Sequence, residues 1–142
     1  MRVRLLGTAA GGAFPQWNCS CGNCQVARAN PSRARRRTQL CIAVSGDEKR
    51  WFLINASSDV CAQIDAFAPL LPPTSVLRGS GIVGVLLTNA DLDHTLGLLC
   101  LRQGPRLVVH STAAVRDALI EGTRGIWDWR REWRDQRRFA PA

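Results

Sequence analysis

IVGVLLTNADLDH, running from Ile82 to His94, is the stretch that decides how this chain folds. Its first six residues, Ile82 to Leu87, form an unbroken apolar run. A run that short and that apolar fits a strand buried on both faces, as in a sheet covered by helices. The chain then turns polar from Asn89 to His94. Loops at the carboxyl ends of buried strands are where α/β proteins build their sites. The stretch therefore predicts a sheet and marks the end of it where chemistry belongs.

Working outward, the flanks repeat the pattern. Downstream, Leu96 to Leu101 starts a helix or turn, Leu107 to His110 reads as a strand, and Thr112 opens a helix from Ala113 to Ile120. Upstream, Thr38 to Ser45 alternates in strand fashion, with Leu40, Ile42 and Val44 on one face. Gly46, Asp47 and Glu48 make a turn into a second strand, Trp51 to Asn55, so the two pair antiparallel. Ser57, Ser58 and Asp59 are N-cap candidates for a helix with Val60, Ile64 and Phe67 on one side. Pro69, Pro72 and Pro73 mark a loop. At the start, Arg2 to Leu6 reads as a buried strand and Thr8 to Phe14 as a tight glycine-rich turn. Val26 to Ala34 reads as a short helix interrupted by Pro31. A hairpin followed by alternating strands and helices is the pattern of a mixed α/β sheet covered by helices.

Bulk composition narrows the class. At 142 residues with 46% hydrophobic and 21% charged residues, the chain suits one ordinary globular domain. The formal net charge is +8, and every basic residue except Lys49 is arginine. Arginines cluster at 33–37 and again from Arg124 to Arg138. No nucleic-acid motif accompanies them, so the charge points to acidic small ligands ahead of nucleic acid. No stretch reaches the roughly 18 apolar residues of a membrane span. The opening MRVRLLGTAAGGAFP has an apolar core too short, and too interrupted by glycine, for an export signal. The expected location is cytoplasmic, with the six cysteines reduced.

Three of those cysteines fall in one C-x-C-x-x-C motif, Cys19, Cys21 and Cys24. Zn2+ takes thiolates at about 2.3 Å in a tetrahedron, and these spacings let one tight loop turn three sulfurs to a point. Three ligands are one short of a closed structural site. Cys41, Cys61, Cys100 and His110 are the candidates for the fourth. The competing reading is three unrelated buried thiols.

Asp91, Asp93 and His94 form the second candidate. Alternate residues of an extended loop converge, and carboxylate with imidazole suits Fe2+, Mn2+ or Zn2+. The competing reading makes Asp91 or Asp93 a helix N-cap. Asp59 has the same two readings, site carboxylate or N-cap. The T-A-A-G-G-A turn of residues 8–13 lacks the dinucleotide fingerprint, but it can bring backbone close to a site.

Several stretches together are specific. G-T-A-A-G-G-A-F-P-Q-W-N-C-S-C-G-N-C, R-T-Q at 37–39, N-A-S-S-D at 55–59 and D-L-D-H-T-L-G-L-L at 91–99 resemble the coenzyme PQQ synthesis protein B family over roughly residues 1–120. The resemblance implies the αββα sandwich of the metallo-β-lactamase superfamily. It implies a role in pyrroloquinoline quinone (PQQ) biosynthesis. The activity associated with the family is iron-dependent hydroxylation of a tyrosine-derived precursor. The alternative is a non-enzymatic carrier that moves PQQ or its precursor toward the periplasm. Other PQQ biosynthesis proteins are implied partners. Against the superfamily motif H-x-H-x-D-H, Asn89 and Asp91 stand in the first two histidine positions, and Asp93 and His94 in the final pair. Two superfamily ligands are thus replaced. Catalytic and active-site metal roles are implied for Asp91, Asp93 and His94, with Fe2+ there and structural Zn2+ at the cysteines.

Family members are about twice this length, so the chain corresponds to the N-terminal half of the sandwich. The expected organisation is a half domain over residues 1–121 and an unmatched basic, Trp-rich tail over 122–142, in which Ile126, Trp129 and Trp133 share a helical face. A half sandwich is expected to expose the apolar face of its sheet and to be poorly stable, aggregation-prone or inactive on its own.

Overall fold

A computed structural model describes residues 1–104, 107–122 and 139–141. Six strands lie in one sheet in sequence order: β1 (Arg2–Gly7), β2 (Cys41–Ser45), β3 (Trp51–Ile54), β4 (Ile82–Leu86), β5 (Val108–Ser111) and β6 (Phe139–Pro141). β1, β2 and β3 pair antiparallel, and β3 to β6 run parallel. The helices are α1 (Gly22–Ala29), α2 (Val60–Asp65), α3 (Leu92–Thr95), α4 (Gly97–Cys100) and α5 (Ala113–Gly122). The expected hairpin and the alternation after it are both present. The tail helix face at Ile126, Trp129 and Trp133 lies outside the described residues.

One face of the sheet is covered. Leu53, Val85 and Val109 are paired neighbours across β3, β4 and β5, and all three are buried. Val60, Leu70, Leu98 and Leu119 close over this row from the helices and their connections. Trp51 meets Phe67 edge-on at 5.1 Å between ring centroids. Each fully buried aliphatic side chain here contributes about 1.5–3 kcal/mol.

The other face is apolar and bare. Pairing puts Val3, Val44, Phe52 and Val108 in one row, and Leu5, Ile42, Ile54, Leu86 and His110 in the next. None of these nine is buried: Leu86 is 43% exposed and Leu5 58%. Two expectations are corrected by this. Ile82 to Leu87 is covered on one side only, and β1 is an exposed edge strand, because the helices that supply the core, α2, α4 and α5, pack on the opposite face. The bare face matches what was expected of half a sandwich.

Local chemistry shifts two further boundaries. α1 begins at Gly22 and ends at Ala29, ahead of the expected Val26–Ala34, because Asn30 precedes Pro31 and a residue before proline is pushed out of helical geometry. Asp59 stands at the start of α2 but makes no side-chain cap. Its carboxylate instead accepts the Gln39 amide at 2.9 Å, tying α2 to the segment ahead of β2.

The β3–α2 junction carries an unusual residue. Asn55 is buried with φ of 63°, the left-handed region that Asn tolerates better than most side chains. Its Oδ1 accepts both the amide and the hydroxyl of Thr88, at 3.0 and 3.1 Å. Its carbonyl accepts the Cys41 thiol at 3.2 Å. Asn55 thereby fastens the end of β3 to the end of β4, where the polar loop begins.

Candidate metal centres

The glycine-rich turn leads from β1 into the cysteine loop, and the loop closes straight into α1. Cys21 is the N-cap of α1 and Cys24 lies in its first turn, buried. As the helix starts, the three sulfurs are drawn together: the Sγ atoms of Cys19, Cys21 and Cys24 all lie within 4.8 Å of one another. A tetrahedral site with 2.3 Å Zn–S bonds needs sulfurs about 3.8 Å apart, so the trio fits a zinc ion. Among the described residues this is the one group of three or more potential ligands so assembled.

Backbone and side chains around the trio shift Cys21 and Cys24 in opposite directions. The Cys24 amide, then the neighbouring thiols, hold the Cys21 pKa below its ordinary value. Cys24 is pulled down by the Gln16 backbone, but burial and the thiols of Cys21 and Cys19 outweigh it and push the pKa up. Arg28, one helical turn on from Cys24, donates to the carbonyls of Cys19 at 2.6 Å and Gln16 at 2.5 Å. Gln25 donates to the Ser20 carbonyl. The sequence reading missed Arg28; the i, i+4 spacing from Cys24 was its available signal.

The four candidate fourth ligands do not join the trio. Cys41 is in the core, its pKa pushed up to about 12 by burial. Cys61 is exposed on α2 and Cys100 is exposed on α4. His110 packs against Phe52 on the bare face.

The second loop is assembled differently. Residues 92–95 are helical, so the premise of an extended loop with converging alternate side chains does not hold. Asp91 is the N-cap of α3 without a side-chain cap, and its carboxylate accepts Asn89 Nδ2 at 2.8 Å. Asp93 and His94 do come together, with Oδ2 and Nε2 3.9 Å apart. Asn89 Oδ1 lies 2.6 Å from His94 Nδ1. Because Asn89 Nδ2 serves Asp91, that oxygen accepts, so Nδ1 carries a proton and Nε2 is the ring nitrogen turned toward Asp93. A carboxylate and an imidazole nitrogen at that spacing are residue types that can share a cation, with Asn89 as the outer partner that fixes the ring. Asn89, placed by alignment at a lost histidine position, is thus the orienting residue for both Asp91 and His94.

The loop is tied down on the sheet side. The His94 carbonyl accepts the Ala56 amide at 2.8 Å, and the Ala56 carbonyl accepts the Gly97 amide at 2.9 Å. A Cβ on Gly97 would sit 2.2 Å from the Ser57 carbonyl, so only glycine permits this approach. Beside the loop an open cleft of about 340 Å³ is lined by Gly11, Gln39, Ser58, Leu92, Asp93 and Leu96. Gly11 belongs to the glycine-rich turn, and a Cβ there would lie 3.1 Å from Asp93 Oδ2. The turn does bring backbone close to the site.

A mixed sheet with helices on one face and metal-ligand residue types at a strand end fits half of a metallo-β-lactamase sandwich. Residues 50–131 match the family model described as beta-lactamase superfamily domain, and the chain belongs to that superfamily. Within it, the homologues of this chain are the coenzyme PQQ synthesis B proteins. It is 48% identical over 122 residues to Coenzyme PQQ synthesis protein B of Ectopseudomonas mendocina, covering 86% of this chain and 40% of that protein. It is 52% identical over 104 residues to the protein of the same name from Methylobacillus flagellatus, covering 73% of this chain and 34% of that one. A crystal structure of Zn2+-bound PqqB from Methylobacterium extorquens superposes with a TM-score of 0.81 at 42% identity, over 100% of this chain and 45% of that one. A diphosphatase of the PhnP family shares the fold, at TM-score 0.66 and 20% identity over 87% of this chain and 46% of that one. The chain spans about 40% of the length of the curated relatives it matches.

Proposed function

We propose that this chain serves PQQ biosynthesis as part of a PqqB-type protein, with structural Zn2+ at Cys19, Cys21 and Cys24 and a reaction centre at Asp91, Asp93 and His94. The observation that carries the reaction centre is the approach of Asp93 Oδ2 and His94 Nε2 to 3.9 Å beside an open cleft. Asp93 and His94 would hold Fe2+, whose chemistry when bound is the activation of O2 for hydroxylation of a tyrosine-derived precursor. The chain's own residues do the rest. Asn89 fixes the His94 tautomer, Asn89 also orients the Asp91 carboxylate, and the walls of the cleft, Gln39, Ser58 and Leu96, would receive the phenol ring. The arginines supply the field that draws in an acidic precursor.

The test is Fe2+-dependent oxygen consumption in the presence of the precursor. The reading expects activity of the whole PqqB-type protein of which this chain is part, lost in Asp93→Ala and in His94→Ala. A second reading, a carrier for PQQ or its precursor, is favoured by one observation: only two of the three proposed ligands meet. Precursor binding that survives removal of all three side chains, without oxygen consumption, would select the carrier.

A further inference from the structure

The arginine run at 33–37 has one member that the fold holds in place. Arg37 and Gln39 both pair with the glycine-rich turn, Arg37 with Phe14 and Gln39 with Ala9. Backbone hydrogen bonds of 2.8 and 2.9 Å join Arg37 to Phe14, and the Thr38 carbonyl accepts the amides of Thr8 and Ala9 at 3.0 Å. The stretch is therefore extended, and its side chains alternate between two sides. Thr38 faces inward: its hydroxyl donates to the Leu6 carbonyl at 3.1 Å and accepts from buried Gln63 at 2.9 Å. Arg37 and Gln39 emerge on the other side, and Gln39 is a wall of the cleft.

The Arg37 guanidinium is oriented but not neutralised. Its Nη1 donates to Thr8 Oγ1 at 3.1 Å, while the guanidinium groups of Arg33, Arg35 and Arg36 make no hydrogen bond among the described residues. Among the described residues no carboxylate pairs with Arg37, whereas Arg2, Arg50 and Arg116 are matched to Glu48, Asp47 and Asp117. Arg37 is exposed and keeps most of its N–H donors unused. Thr8 begins the glycine-rich turn, and Gly11, three residues on, borders Asp93. At most about 11 Å of chain separates the two. The amides of Gly11 and Gly12 meet no acceptor among the described residues, so the turn adds open donors to the same rim. An oriented, unpaired guanidinium on a cleft rim fits a carboxylate, the planar group that its fork matches.

We propose that Arg37 determines specificity at the cleft by pairing with a carboxylate of the ligand. This pairing rests on the cleft being the seat of the acidic, phenol-bearing precursor proposed for it. It selects acids over neutral phenols and sets which end of the ligand meets the rim. The test is calorimetric titration of the whole PqqB-type protein, loaded with Zn2+, with desaminotyrosine (a phenol bearing a carboxylate) and with its neutral amide. The acid should bind about 10-fold more tightly than the amide. Arg37→Gln should abolish that difference by weakening the acid alone. Arg37→Lys should restore part of it, since an ammonium keeps the charge but not the fork. Arg33→Gln should leave the difference in place. Equal binding of acid and amide to wild type, a difference that survives Arg37→Gln, an equal loss in Arg33→Gln, or no binding of either probe would overturn the assignment. Oxygen consumption tells the two readings apart. Fe2+-dependent turnover without an acid preference sinks the role of Arg37 alone, and an Arg37-dependent acid preference without turnover sinks the hydroxylation and keeps the carboxylate subsite.

Discussion

The cysteine loop and the Asn89–His94 loop each gather metal-binding residue types within six positions, but only the first gathers their atoms. In the first, the chain winds into α1 as the cysteines pass, and residues at the cap and in the first turn face one point. In the second, winding begins at Leu92, so Asp93 and His94 fall on successive helical positions and Asp91 is left behind on Asn89. A helix start completes a cluster when the ligands are spaced for it and divides one when they are adjacent. The first site is therefore nearly self-contained. The second brings together only two of its candidate ligands among the described residues.

The largest test of this contrast removes a ligand from the assembled site. Purified wild-type chain should hold about one zinc, and Cys24→Ser should lose it. Four-ligand structural zinc binding of 10–16 kcal/mol implies about 3–4 kcal/mol per ligand, a several-hundred-fold loss of affinity. Wild-type protein without zinc would remove the basis of the contrast. Next in size is Arg28→Ala, which frees two loop carbonyls; zinc affinity measured by chelator competition should fall toward the ~100-fold end of outer-partner effects.

A third prediction separates loop thiols from the core thiol by pH. Burial holds the Cys41 pKa at about 12, against 9.0 for a free thiol. The unfolded chain therefore loses this proton first. The stability linked to Cys41 is complete below pH 9 and drains away as pH rises toward 12. Urea denaturation at about pH 10.5 should show a loss near 2 kcal/mol relative to about pH 8. The loss should be flattened in Cys41→Ala, whose overall stability is lower at both values. The smallest expected effect is at the second loop: Asn89→Ala should weaken Fe2+ binding by about 10-fold through a loosened His94. No change there would leave His94 without the outer partner assigned to it.

Much of the fold was legible because it is local. The turn at Gly46–Glu48, the alternation on either side and the apolar run at Ile82–Leu87 each announce an element without knowledge of its neighbours. What failed was burial. β1 and Ile82–Leu87 read as fully buried because apolar composition records the partner a face was selected to meet, whether or not that partner lies within the described residues. The same limit applies to the sites. Cys19, Cys21 and Cys24 were legible from spacing, since the loop alone assembles them. Arg28 and Asn89 were not assigned these roles, because the roles depend on a helical register or on side-chain contacts. Asp59 was left between site carboxylate and N-cap because its partner, the Gln39 amide, is 20 residues away in sequence.

Asn55 sets a rule for which alleles of this chain can persist. Its positive φ admits glycine, asparagine and aspartate and penalises the rest. Glycine there would strip Thr88 of its acceptor, and aspartate would place a charge at a position 1% exposed. Each remaining filter deletes one of the three, and only asparagine passes all of them. In a saturating mutational scan this codon should tolerate almost nothing, although it touches neither metal centre.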